Sequence, residues 1–182
     1  MNLFRKSLLA AMMTAVVATP AFAGHHSEGK AKPAGTIVDV AASNADFETL
    51  VAAVKAAGLV ETLSGDGPFT VFAPTDAAFA KLPAGTVDTL LKPESKAQLT
   101  KVLTCHVVAA DVMAEALVKM ISDDGGEHDV TTVGGCVLKA KAADGKVTLT
   151  DENGGVSTVT IADVKQSNGV IHVVDAVILP KM

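Results

Sequence analysis

The closing stretch Asn168-Gly169-Val170-Ile171-His172-Val173-Val174-Asp175-Ala176-Val177-Ile178-Leu179-Pro180 decides how the rest of the chain must be arranged. From Val170 to Leu179 it is almost continuously apolar and rich in β-branched residues, the pattern of a strand covered on both faces. Asn168-Gly169 is a turn pair that tolerates positive φ, and Pro180 lacks the N–H that a continuing ladder needs. The reading is therefore one strand from Val170 to Leu179, and everything upstream must supply a layer for each of its faces.

A second stretch of the same kind is Phe69-Thr70-Val71-Phe72-Ala73-Pro74-Thr75-Asp76-Ala77-Ala78-Phe79. Phe69 to Ala73 reads as a strand ended by Pro74, and Thr75 caps a following helix with Asp76 in its first turn and Phe79 and Leu82 pointing inward. Before it, Ile37, Val38 and Val40 begin the domain. Phe47, Leu50, Val51 and Val54 fall at helical spacing with Gly58 at the C′ position, and Leu59, Val60 and Leu63 add a short helical turn. After it come a short helix with Val87, Leu90 and Leu91 and, beyond Pro93, a longer one with Leu99, Val102 and Leu103.

Cys105-His106-Val107-Val108 reads as a strand, followed by a helix carrying Val112, Ala116, Leu117 and Met120 on one side. From there the period changes to two. Val130 to Val133, Cys136 to Lys141, Val147 to Thr150 and Val156 to Val164 read as successive strands, separated by Gly134-Gly135, Asp144-Gly145 and Asn153-Gly154-Gly155. Helices early and a strand meander late predict an α+β fold in a single domain, without internal repeats.

Residues 1–23 have a basic start at Arg5 and Lys6, an apolar run from about Leu8 to Ala18, and Ala21-Phe22-Ala23 before Gly24. That layout predicts a cleaved secretory signal peptide, and the run is too short for a comfortable membrane span. Residues 24–35, GHHSEGKAKPAG, lack periodicity and read as a disordered leader, leaving 36–182 as the domain. Removing residues 1–23 takes away two basic side chains and no acid, so 13 basic and 20 acidic ones remain, a net charge of −7. Such a surface repels phosphates and anionic lipid, so neither nucleic acid nor membrane is expected as a partner of the exported chain. Trp and Tyr are absent, which removes the aromatic platforms used for sugar or single-strand binding.

Together, Phe69 to Phe79, Asn168 to Pro180 and the lead-in Thr36-Ile37-Val38-Asp39 resemble the signature segments of the fasciclin domain family. The likeness runs from about Thr36 to Pro180 and implies a compact wedge of β-sheets with helices packed around it. It assigns Phe69, Thr70, Val71, Phe72, Ala73, Pro74, Thr75, Asp76, Phe79, Asn168, Gly169, Val170, Ile171, His172, Asp175 and Pro180 to structural family positions. It also implies a secreted or surface-attached protein concerned with adhesion, matrix contact or microbial attachment. The family's Tyr-His and Asp-Ile interaction motifs map onto Cys105-His106 and Asp163-Val164. Both depart from the family pattern, so integrin-type recognition is not expected, and these four residues stand as the resemblance-based interaction candidates.

Few residues suggest chemistry. His106 and His172 lie in apolar runs, where a neutral core imidazole bonded to backbone competes with a ligand or general base. A metal site from Cys105, His106, Cys136 and His172 is not expected, because neighbours in a strand point to opposite faces. Cys105 and Cys136 leave two readings open, a disulfide of an exported chain or two buried thiols. Asp123, Asp124 and Glu127 lack the ligand spacing of a calcium loop, and His25, His26 and Glu28 lack a scaffold. No G-x-S-x-G or H-E-x-x-H motif occurs in the mature region. The expectation is an exported, non-enzymatic, monomeric adhesion or surface-interaction module without cofactor or metal, binding a protein or cell-surface partner. The alternative is a periplasmic small-ligand-binding protein with a pocket between helices and sheet; a secreted hydrolase is a more distant rival.

Overall fold

The structure is a computed structural model that describes residues 35–143 and 145–181. The expected signal peptide at 1–23 and all of the expected leader except Gly35 lie outside the described residues. Gly35 itself is anchored, its carbonyl accepting from both the backbone N–H (3.1 Å) and the hydroxyl (2.8 Å) of Ser167.

Helix α1 (Ile37–Ser43) starts where Thr36 and Asp39 form a reciprocal capping box. A 3₁₀ turn (Ala45–Phe47) leads into α2 (Glu48–Ala57), which ends at Gly58 in the left-handed conformation, φ 75°, that a glycine adopts without Cβ strain. Next come α3 (Val60–Ser64), β1 (Phe69–Pro74), α4 (Asp76–Ala80), α5 (Thr86–Leu90) and α6 (Lys96–Thr104). Strand β2 (Val107–Val108) and helix α7 (Ala114–Asp123) precede β3 (His128–Thr131), β4 (Val137–Ala143), β5 (Lys146–Thr150), β6 (Val156–Gln166) and β7 (Gly169–Val174).

The strands lie in the order β2-β1-β7-β6-β5-β4-β3. β1 and β7 run parallel in register from Phe69–Gly169 to Pro74–Val174, and every other pair is antiparallel. β6 is shared between the two halves of the sheet: residues 156–158 pair with β5 and 159–166 with β7, with shifts of register between Val159 and Val164. The fold is α+β, with helices mainly in the first half and the meander in the second.

The central pair explains the apolar signature segments. Val71, Ala73, Ile171 and Val173 face a cluster built from α1, α2 and α6, while Phe72 and Val174 face a second cluster with Leu117, Ile121, Leu138, Leu149 and Ile178. A strand between two cores cannot alternate apolar with polar.

Three expectations are corrected. The closing stretch leaves the ladder after Val174, because Asp175 turns the chain: its N–H donates to Thr158 O and its Oδ1 accepts the Thr158 N–H. Cys105 and His106 are not in a strand, since their N–H groups continue the last turn of α6 to Lys101 O and Leu103 O. Opposite-facing strand neighbours are therefore not the reason these two side chains diverge. Finally, α7 begins at Ala114 and buries Leu117 and Ile121, one helical turn apart; Val112 precedes the helix and Ala116 is exposed.

Candidate functional site

The polar side chains of the signature segments hold separate elements together. Thr70 Oγ1 donates to Ala110 O (2.6 Å) and accepts the Val112 N–H (2.8 Å), fixing the loop that enters α7. Thr75 caps α4 by accepting the Ala78 N–H, while Asp76 Oδ1 accepts the Thr49 N–H at the start of α2. Asn168 uses both ends of its amide: Oδ1 accepts the Ile37 N–H, and Nδ2 donates to Leu63 O and Gly65 O. Asp175 binds Thr158 and pairs with Lys81 at 3.4 Å. Apart from the local cap at Thr75, these bonds tie together segments that lie far apart in the sequence.

His106 and His172 are both buried, and their partners fix their tautomers. His106 Nδ1 lies 2.7 Å from Val102 O, which only accepts, and Nε2 accepts the Ile178 N–H at 2.9 Å. His172 is the mirror case, with Nε2 donating to Val112 O at 2.7 Å and Nδ1 accepting the Asp163 N–H at 3.2 Å. Its ring also stacks on Phe72 with centroids 5.6 Å apart. Burial pushes the His106 imidazole down to about 4, against the smaller upward pull of Val102 O and the Asp151 carboxylate. A neutral imidazole with both nitrogens engaged by backbone is neither a free base nor an open metal ligand.

Cys105 and Cys136 are joined in a disulfide with Cα atoms 5.4 Å apart. This bridge closes the sheet upon itself, because Val133 N–H, on the turn after β3, donates to Val107 O on β2, so the two edge strands are tied near the same point. Gly134 sits against Cys105 closely enough that a Cβ would collide with its backbone nitrogen and sulfur.

Of the four interaction candidates, Cys105 and His106 are interior and cannot form a contact surface, which corrects that expectation. Asp163 and Val164 are half-buried at the β6 irregularity. Asp163 has a φ of 59°, and its Oδ1 accepts the Ala114 N–H at 2.7 Å. Asp123 and Asp124 pair with Lys119 and His128, and Glu127 bridges Lys139 and Lys141, whose hydrogen bonds hold its carboxyl down to about 2.

Sequence reading missed Asp151, Asn153 and Ser157. Asp151 Oδ1 accepts the N–H groups of Asn153 and Gly155, and Oδ2 accepts that of Leu179. Asn153 Nδ2 donates to Leu179 O and Pro180 O, and Ser157 Oγ to Ala176 O. The local part was available as an Asx turn before Gly154-Gly155; its grip on the chain end was not.

The cavities against His106 measure about 30 and 10 Å³, room for a water and not for an organic ligand. A larger recess of about 430 Å³ is an open groove at the surface beside Asp66, Asp111, Met113, Lys165 and Ser167. The outer face of the meander is uncovered: Val137 and Lys139 point outward on β4 while Leu138 and Ala140 point in, and Thr150 lies opposite Val156. Val133, Val156 and Ile161 are 52%, 56% and 57% exposed. Among the described residues no helix is long and apolar enough to cross a membrane, and no cluster of His, Cys, Asp or Glu could hold a metal ion.

These features meet in one known class: the fasciclin domain family matches residues 45–180, and the chain belongs to it. It is 53% identical to protein sll1483 of Synechocystis sp. over 86% of this chain and 79% of that one. It is 38% identical to immunogenic protein MPB70 of Mycobacterium bovis, over 79% of this chain and 68% of that protein. It is also 34% identical to transforming growth factor-beta-induced protein ig-h3 of Sus scrofa, over 81% of this chain but only 20% of that one. The fold matches a solved FAS1 domain pair from the insect cell adhesion molecule fasciclin I, with a TM-score of 0.70 at 21% identity. The match covers 81% of this chain and 51% of that structure, so this chain spans about half its length.

Proposed function

We propose that this protein is an exported, non-enzymatic adhesion or surface-interaction module that binds a protein or cell-surface partner as a monomer. The observation that carries the reading is the division of side chains. The polar groups of both signature segments are engaged in internal bonds, while Val133, Val156 and Ile161 remain exposed on the strand-rich half. The likeness to a protein named as a cell adhesion molecule supports the class of partner. Export rests on the signal-like residues 1–23. The nearly filled interior beside His106 weighs against the small-ligand alternative.

Attachment of a deletion strain to abiotic surfaces and to other cells tests this directly. Loss of attachment that is restored by the exported form, and not by a form lacking residues 1–23, is the expected result. Unchanged attachment on every surface would refute it.

A further inference from the structure

The last seven described residues, Asp175 to Lys181, lie outside the ladder and are held by side chains. Ser157 binds Ala176, His106 binds Ile178, Asp151 binds the Leu179 N–H, Asn153 binds Leu179 and Pro180 carbonyls, and Glu152 Oε2 accepts the Lys181 N–H. Four of those five holders lie within residues 151–157, three on the turn after β5 and Ser157 at the start of β6. The fifth, His106, reaches from the end of α6 and is buried beneath Ile178, as Ser157 and Asp151 are buried beside it.

His106 can hold Ile178 only while neutral. Its Nδ1 carries the proton because Val102 O can only accept, so Nε2 has the lone pair that receives the Ile178 N–H. A second proton would go to Nε2, the acceptor would become a donor, and two N–H groups would face each other in an apolar enclosure. We propose that residues 175–181 are an acid-released strap: protonation of His106 detaches them as a unit while the seven strands stay paired.

The surroundings of His106 support this. From α2, α6, β2 and the strap it is packed by apolar side chains, including Val54, Leu103, Val107 and Val177. The acid whose charge reaches it is Asp151, which is already engaged by three backbone N–H groups. Lys101 and Glu152 bind Lys181 at the exposed end of the strap. Burial holds the imidazole at about 4 against 6.5 for a free one, so proton uptake accompanies release. That difference makes the opening about 100-fold more favourable at pH 4 than at pH 7. The strap is the segment able to respond, because strands β1 and β7 have ladder bonds on both sides, whereas the strap has no backbone bond to a strand beyond that of Asp175 to Thr158.

The test is amide hydrogen exchange of the full-length chain from pH 7 to pH 4, alongside nitrogen-15 NMR of both imidazoles. At pH 7 His106 should show the Nδ1–H tautomer. The protection factors of Ile178 and Leu179 should fall about 100-fold with the midpoint of His106 protonation, while Val71 and Ile171 keep theirs. Constant protection at Ile178 would overturn the proposal. So would its loss together with Val71 and Ile171, which is global unfolding, or a loss that follows His172 instead. The proposal does not depend on the adhesion reading, and neither result bears on attachment.

Discussion

The backbone N–H of Asp163 donates to His172 Nδ1 at 3.2 Å, across a break in the register of β6 that leaves Asp163 with a φ of 59°. The same residue caps α7 through Ala114. A family interaction motif thus maps onto a position whose backbone orients an imidazole and whose side chain starts a helix. Replacing Asp163 by Ala loses the helix-end acceptor and keeps a Cβ in the left-handed region, a cost of about 2 kcal/mol. Asp163→Asn should be nearly neutral, and Asp163→Gly should fall between. Urea unfolding of the three variants checks the order.

Asn168 joins Ile37 to Leu63 and Gly65 through one amide. Asn168→Asp puts a carboxylate against two carbonyl oxygens, and Asn168→Ala leaves all three groups without a partner; each should destabilise by about 2–3 kcal/mol. Exchange of the Ile37 amide should accelerate first, before that of Val71.

Gly169 runs so close to β1 that a Cβ there would overlap Phe69 O. Gly169→Ala should therefore disrupt the parallel β1–β7 pair at its first rung and lower the thermal midpoint, whereas Gly145→Ala, with open space around it, should cost only its backbone conformation. Calorimetry of the two variants separates close approach from conformational preference.

The Cys105–Cys136 bridge closes a loop with a sequence separation of 31 and ties the two edges of the sheet. Loop-closure entropy predicts a loss of about 3–4 kcal/mol when both cysteines are replaced by Ala. The intact mass without reductant should be lower than the dithiol value by two hydrogens, and neither sulfur should be alkylated, even in the unfolded chain, until a reductant is added.

Stability should depend on pH through His106. Its folded value, about 4, lies below the ordinary 6.5, so the unfolded chain binds the extra proton between these limits. The stabilisation is complete above pH 6.5 and is lost as pH falls toward 4, by about 3 kcal/mol in all. Denaturant midpoints measured across that window should decline, and His106→Gln should flatten the dependence.

The sequence alone determined the α+β class, the stop at Gly58, the strand from Phe69 and the run of hairpins after β3. All of these follow from side-chain period and turn chemistry within a few residues. It also marked the closing segment as covered on both faces, because an apolar run without alternation has to be covered twice. Only the tertiary structure decided that β1 and β7 pair in parallel, that Cys105 meets Cys136, and that Ile37 is held by Asn168, 131 residues away. It decided, too, that the closing run stops being a strand at Asp175 and is held from there on by His106 and Asp151. Those choices depend on which backbone groups lie opposite one another after folding, and spacing along the chain does not encode that.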